Sequence, residues 1–361
     1  MHEFDELLRT TVDSGGDLDL PSLVARSFGI AREDQLTVAV ILGDFAEVHE
    51  RLSLMAGSRL IDSVLTPSVG VLGLLEAGET YTVSVWRSAP GVSAIVGVPP
   101  VTDERWRRVE RWLRALEPRV ASVFLDEEDF EGICEGLTTQ GRVEVSRLAA
   151  RVLADGSSWT RGWPEDRVFE RPTYSEAIAE VTGFASIRTL TLHVSDRLML
   201  HLRRSAGATF YSGDFGLFHD VVFTGLVDAA RRRHELLVNR QRTPGGMPTS
   251  ALSVELGIPV FGQPEALQQL LSELTDQHGM GVAVLHRNPY LHLAVTDYVD
   301  GSNFDVFVTS DSELTIFPGY RATVGSLART ADAIGDRFAA VAIGETPSAR
   351  PPTREDLFTT G

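Results

Sequence analysis

Lysine is absent from all 361 residues of the chain, so its 33 lysine-or-arginine positions are arginines throughout. That excludes a Schiff-base lysine, a lysine general base and the lysine of a Walker phosphate-binding loop. Arginine and alanine in its place fit a GC-rich genome. Cysteine occurs once, at Cys134. A single cysteine makes no intramolecular disulfide and no cysteine-cluster zinc site. A lone free cysteine is more often a small buried hydrophobe than a nucleophile. No apolar run reaches the ~20 residues a membrane helix needs. The longest, residues 64–75, is interrupted by Thr66, Pro67, Ser68, Gly70 and Gly73. The first residues carry Glu3, Asp5 and Glu6 where a secretory signal is basic. The expectation is a cytoplasmic protein with no membrane contact.

Catalytic signatures are missing too. There is no GxGxxG phosphate loop and no GxSxG nucleophile elbow. The pair His234-Glu235 lacks the second histidine of a zinc-protease helix. The acidic run Asp126, Glu127, Glu128, Asp129 lacks the glycine and alternating oxygen ligands of a calcium loop, and reads instead as acid entering a helix N-terminus. No cofactor is expected. The net charge of −17 repels polyanions, so a nucleic acid is not the expected partner.

What is present is a folded chain. Its 43% hydrophobic residues suffice for a core, and its length suggests roughly two or three domains. Residues 1–30 read as two short helices. Residues 36–42 read as a buried strand, 45–55 as a helix, and 60–65, 69–75, 81–86 and 92–98 as strands. Trp106, Val109, Leu113 and Leu116 recur at helical spacing over 103–117. Residues 120–125 read as a strand and 145–153 as a helix. A long irregular stretch over 156–172 precedes a helix at 175–181, which opens on the capping-box pair Thr173 and Glu176. Strands at 187–194, 198–203 and 208–212 and a long helix at 218–238 follow. Residues 239–250 have linker composition. Beyond them come a strand at 252–256, a helix at 264–277, a strand meander over 282–317 and a closing helix at 324–338.

A helix leading into a strand meander closed by a second helix recurs three times, without residue-level repetition. The expected fold class is α+β, with two or three units of mainly antiparallel sheet and helices packed on one face. The units are read as 1–137, 138–240 and 250–343, followed by a flexible tail at 344–361.

Three constellations could carry chemistry. If the loop of the central hairpin holds three residues, Val194, Leu192 and Leu190 face Leu198, Leu200 and Leu202 on one apolar side. Thr189, Thr191, His193, Met199, His201 and Arg203 then share the other. Two histidines and an arginine there suit an anion, or a metal if a carboxylate joins them. The plainer reading is the solvated side of a half-buried sheet. A second pair, His286 and His292, flanks the turn Arg287-Asn288-Pro289, near Asp297, Tyr298, Asp300 and Asp305. Third, Trp159, Arg161 and Trp163 stand in the irregular stretch, with Arg167 and Arg171 further on. Tryptophan and arginine are enriched at interface hot spots, but both rings can equally fold back over the core. Two copies of Gly-Asp-Phe, at 43–45 and 213–215, read as helix caps.

Two functions from different classes follow. In the first, the protein is a non-enzymatic cytoplasmic adaptor, chaperone-like or regulatory protein. Its partner is a protein, or else a small-molecule ligand. It binds through Trp159, Arg161, Trp163 and the hairpin residues Thr191, His193, His201 and Arg203, with exposed edge strands open to strand addition. In the second, it is a hydrolase or metal-dependent enzyme using His193 and His201, with an acid from Asp196, Asp214 or Asp220.

Overall fold

The computed structural model describes residues 35–56, 61–76, 79–97, 104–163, 170–242, 250–287 and 291–346, together with residues 10, 11, 13 and 20. Most of the two helices expected over 1–30, most of the 239–250 linker and the tail beyond residue 346 lie outside these. The described residues form a mixed α+β protein with two antiparallel sheets.

The first sheet has eleven strands. In chain order these are β1 (Leu36–Leu42), β2 (Ile61–Thr66), β3 (Val69–Glu76), β4 (Glu79–Ala89), β5 (Val92–Gly97), the two-residue β6 (Ala121–Ser122), β7 (Val143–Val152), β8 (Ser158–Gly162), β9 (Ala185–Val194), β10 (Leu198–Arg203) and β11 (Gly207–Gly213). Their spatial order is β2-β3-β4-β5-β1-β11-β10-β9-β7-β8, with β6 paired to β1. The central pairing, β1 with β11, sets Val38 opposite Ala208 and Thr37 opposite Thr209. Strands from the first two expected units therefore form one continuous sheet.

Around β1 this sheet has helices on both faces, so the expected one-sided packing does not describe it. The alternation along β1 explains why. Ala39 and Ile41 face α1 (Phe45–Ala56) and α2 (Glu104–Leu116), which bury Phe45, Val48, Leu52, Trp106, Val109 and Leu113 there. Val38, Val40 and Leu42 face the other way, into a core shared with α5 (Thr224–Leu237). A strand buried on both sides needs the continuous apolar run that Leu36 to Leu42 supplies. Helix α5 is entered through a three-residue turn, Phe215–Leu217, and a π-helical segment, Phe218–Phe223.

Two elements differ from expectation. Residues 145–152 of the expected helix form most of β7 instead. Register shifts at Val145/Arg147 and Ala149/Ala150 mark two bulges. The first inserts Ser146 into β7 and breaks its alternation, so Val145 and Leu148 are buried three apart and mimic helical spacing; the second places its extra residue, Arg188, in β9. The irregular stretch after Gly156 contains β8, whose polar residues hid a strand at the sheet's end. The expected strand at 120–125 shrinks to β6, and α3 (Glu127–Thr138) follows at once, capped by Asp126, which accepts from the Asp129 amide at 3.0 Å. The short α4 (Tyr174–Ala179) carries the expected capping box from Thr173 and Glu176.

The second sheet has the order β13-β14-β15-β16-β12-β17. It comprises β12 (Leu252–Leu256), β13 (Met280–His286), β14 (Leu291–Asp297), β15 (Asn303–Ser310), β16 (Glu313–Pro318) and β17 (Ala340–Glu345). Strand β17 takes up residues 344 and 345, the start of the expected tail. Its apolar side, with Leu252, Val254, Leu293, Val295, Val306 and Ile316, packs with α6 (Pro264–Asp276) and α7 (Val324–Phe338). The two bodies are tied by polar contacts: Asp332 accepts from the Phe124 amide at 3.0 Å, Asp126 from the Ile343 amide at 3.2 Å, and Arg337 donates to the Leu153 carbonyl at 2.8 Å.

Candidate functional site

The central hairpin has the expected register. Val194, Leu192 and Leu190 pair with Leu198, Leu200 and Leu202, all buried. On the opposite side His193 pairs with Met199, Thr191 with His201 and Thr189 with Arg203. Strand β7 extends this face, with Glu144 beside His193 and Arg147 beside Thr191.

The two histidines do not converge on one point. His193 Nε2 lies 3.0 Å from Ser146 Oγ, and His201 Nδ1 lies 3.1 Å from Thr191 Oγ1. Burial, with Arg203 and Arg147 adding repulsion, presses the His201 pKa down to about 4. Its imidazole is neutral at physiological pH and contributes no positive charge toward an anion. Two of the three acids expected to serve it, Asp214 and Asp220, are engaged elsewhere. Asp214 caps the turn into the π-helical segment, accepting from the Leu217 amide at 3.0 Å, and pairs with Arg197 at 2.9 Å. The amide and then the arginine hold its carboxyl below the usual range. Asp220 pairs with His219 at 2.9 Å. Arg203 turns to Glu110 of α2, which also accepts from Trp106 Nε1 at 3.0 Å. Among the described residues no group of three or more His, Cys, Asp or Glu is placed to hold a metal ion.

The second pair is likewise spread out. His286 and His292 are cross-strand neighbours. His286 is exposed, whereas His292 stacks on Phe307 at 4.1 Å and bonds Asp305 at 2.9 Å. Asp297 is buried against Arg329 at 2.5 Å and Ser326 at 2.7 Å. Cys134 is fully buried, and desolvation pushes its thiol up to about 12.

The Trp/Arg stretch assembles into the most accessible arrangement. Strand β8 ends the first sheet, and among the described residues it pairs with β7 alone. Trp159 sits opposite Ala150 and Arg161 opposite Leu148, both core-facing. Period-two alternation then puts Trp159, Arg161 and Trp163 on one side of the strand. Trp159 meets Phe184 edge-on at 6.2 Å, and Arg161 lies 5.3 Å from the Trp163 ring while pairing with Glu180 at 2.7 Å. Both rings pack on the core margin and keep part of their surface in solvent. The two sequence readings of these tryptophans are thus combined.

The backbone of β8 has a defined outer side. The Trp163 amide donates to Ser146 O, and Ser157 O accepts from Val152, both at 2.8 Å. Odd-numbered positions therefore face β7, and alternation turns the N–H and C=O groups of Ser158, Thr160 and Gly162 outward. Sequence reasoning named the tryptophans but not the strand that presents them.

A comparison with protein-family models and with curated proteins found no match for this chain.

Proposed function

We propose that the protein is a non-enzymatic adaptor or chaperone-like regulatory protein that holds an extended segment of a partner polypeptide as an added strand along β8. The observation that carries this reading is the coincidence of an edge strand with outward backbone groups and a Trp159-Arg161-Trp163 row on one side of it. An edge supplies main-chain hydrogen bonds to any sequence, and side-chain shelves beside it select alternate residues of the guest. Two part-exposed tryptophans held by Phe184 and Arg161 make such a shelf, with little ordering left to do on binding. A cytoplasmic location belongs to the same proposal, supported by the acidic chain and its lone cysteine. The alternative, hydrolysis or metal chemistry at His193 and His201, draws less support, since the two imidazoles turn to different hydroxyls, those of Ser146 and Thr191, rather than to one point.

The test is capture of a partner from extract of the source cells with the full-length chain as bait. The double variant Trp159→Ala/Trp163→Ala is expected to lose a protein that the parent retains, with its circular dichroism unchanged. Equal retention of that protein by the folded double variant contradicts the proposal.

A further inference from the structure

Where α2, the middle of β9, the end of β10, α6 and α7 meet, they line a cavity of about 370 Å³. Five arginines line it: Arg114, Arg188, Arg203, Arg204 and Arg329. Four carboxylates line it with them: Glu117, Glu273, Asp332 and Asp336. On a chain of net charge −17, five arginines in one wall are a local concentration of cations.

Four of the five guanidiniums have fixed partners. Arg203 is paired with Glu110 and Arg188 with Asp336. Arg329, 6% exposed, donates to Asp297 at 2.5 Å and to the His278 carbonyl at 3.0 Å. Arg204, 3% exposed, donates to Ser186 Oγ at 2.8 Å and lies 5.2 Å from the Phe124 ring. Yet four of the five, Arg188, Arg203, Arg204 and Arg329, have a buried Nε–H with no acceptor among the described residues. A network serving only as interdomain glue gains nothing from unspent donors, each of which costs roughly 1–3 kcal/mol when buried unpaired.

We infer that this cavity is a binding site for a small phosphate-bearing anion. Arginine's planar fork matches phosphate oxygens, and side chains already held by Glu110, Asp297 and Ser186 lose little freedom on engaging one. The volume lies near the lower end of the ~300–1,000 Å³ of small-molecule sites. The acids favour the same sign. Burial raises the proton affinity of Glu117, Glu273 and Asp332; Asp332, raised to about 8, cancels less positive charge than a surface carboxylate does. The polar cluster reaches into all three expected units, so an occupant would tie them together. The site is separate from β8 and stands or falls independently of the strand-addition proposal.

Titration calorimetry of the full-length protein with sodium pyrophosphate, and separately with citrate, at low ionic strength tests this. The expected result is saturable one-to-one binding of pyrophosphate. It should weaken by roughly tenfold or more in Arg188→Gln and in Arg114→Gln, a change of about 1.4 kcal/mol. Arg107→Gln, an equal charge change on the exposed side of α2, is expected to bind as the parent does. Arg114 is exposed, so its variant remains informative if Arg188→Gln fails to fold. Absence of saturable pyrophosphate binding by the parent overturns the inference, as does binding of citrate alone. Equal weakening in Arg107→Gln also overturns it, because it assigns the effect to net charge rather than to the cavity.

Discussion

Arg233 of α5 and Asp332 of α7 meet at 3.1 Å with side chains 3% and 14% exposed. The same carboxylate accepts the Phe124 amide. One aspartate therefore joins segments from all three expected units. Desolvation lifts its pKa to about 8, against the pull of Arg233 and the Phe124 amide and with a push from Glu117 and Asp336. In the unfolded chain an aspartate titrates near ~3.9.

The native state thus binds this proton more tightly than the unfolded one. The stability it contributes is complete below about pH 4 and is lost as pH rises through about 8, at up to ~1.4 kcal/mol per pH unit. Asp332→Asn removes the titration. Its urea midpoint is expected to vary less with pH than the parent's across that window. Parallel profiles for the two proteins contradict this.

Gly325 of α7 packs on the Pro118 carbonyl so closely that an added Cβ would stand 1.6 Å from the oxygen. Gly325→Ala is therefore expected to destabilise by about 1–3 kcal/mol or more, since backbone must move. Gly132, in α3, has open space around it, and Gly132→Ala should stabilise by up to ~1 kcal/mol through helix propensity. Denaturant melts of both variants check the pair; equal effects would show that α7 does not rest on Pro118.

The depressed pKa of His201 has the opposite sign. The unfolded imidazole takes a proton near ~6.5 while the native one resists to about 4. The contribution is full above the unfolded value and is lost as pH falls through about 4. In a proton NMR titration the His201 ring signals are expected to stay unshifted from pH ~7 down to ~5. A midpoint near 6.5 contradicts the burial assigned to this ring.

Cys134 should not react with a thiol reagent in the native protein, because it is fully buried and its thiol is pushed up to about 12. Labelling is expected to follow global unfolding as urea rises. Rapid labelling without denaturant would show that the core around Ile133 and Leu137 opens locally.

Elements whose period was unbroken were legible in the sequence. The α7 span from Val324 to Phe338 and the hairpin register of Leu190, Leu192 and Val194 against Leu202, Leu200 and Leu198 follow from spacing alone. Strand β7 was not legible, because the bulge at Ser146 spaces the buried Val145 and Leu148 three apart instead of two. Strand β8 was hidden by polar composition: Ser158, Thr160 and Gly162 face solvent at an edge and need no apolar side chain. Of the candidate residues, the tryptophans carried a signal through their type. Of the cavity arginines only Arg203 carried a signal, through its place on the hairpin face; Arg114, Arg188, Arg204 and Arg329 are far apart in the chain and only the tertiary fold brings them together.

Thr160→Pro bears most directly on strand addition at β8. Proline there deletes an N–H that faces away from β7, and proline is tolerated at sheet edges. The protein retained by the parent from source-cell extract is expected to be lost by Thr160→Pro while the variant's thermal melt stays close to the parent's. Retention of that protein by the folded variant, in the same amount, would show that the partner does not add a strand to β8.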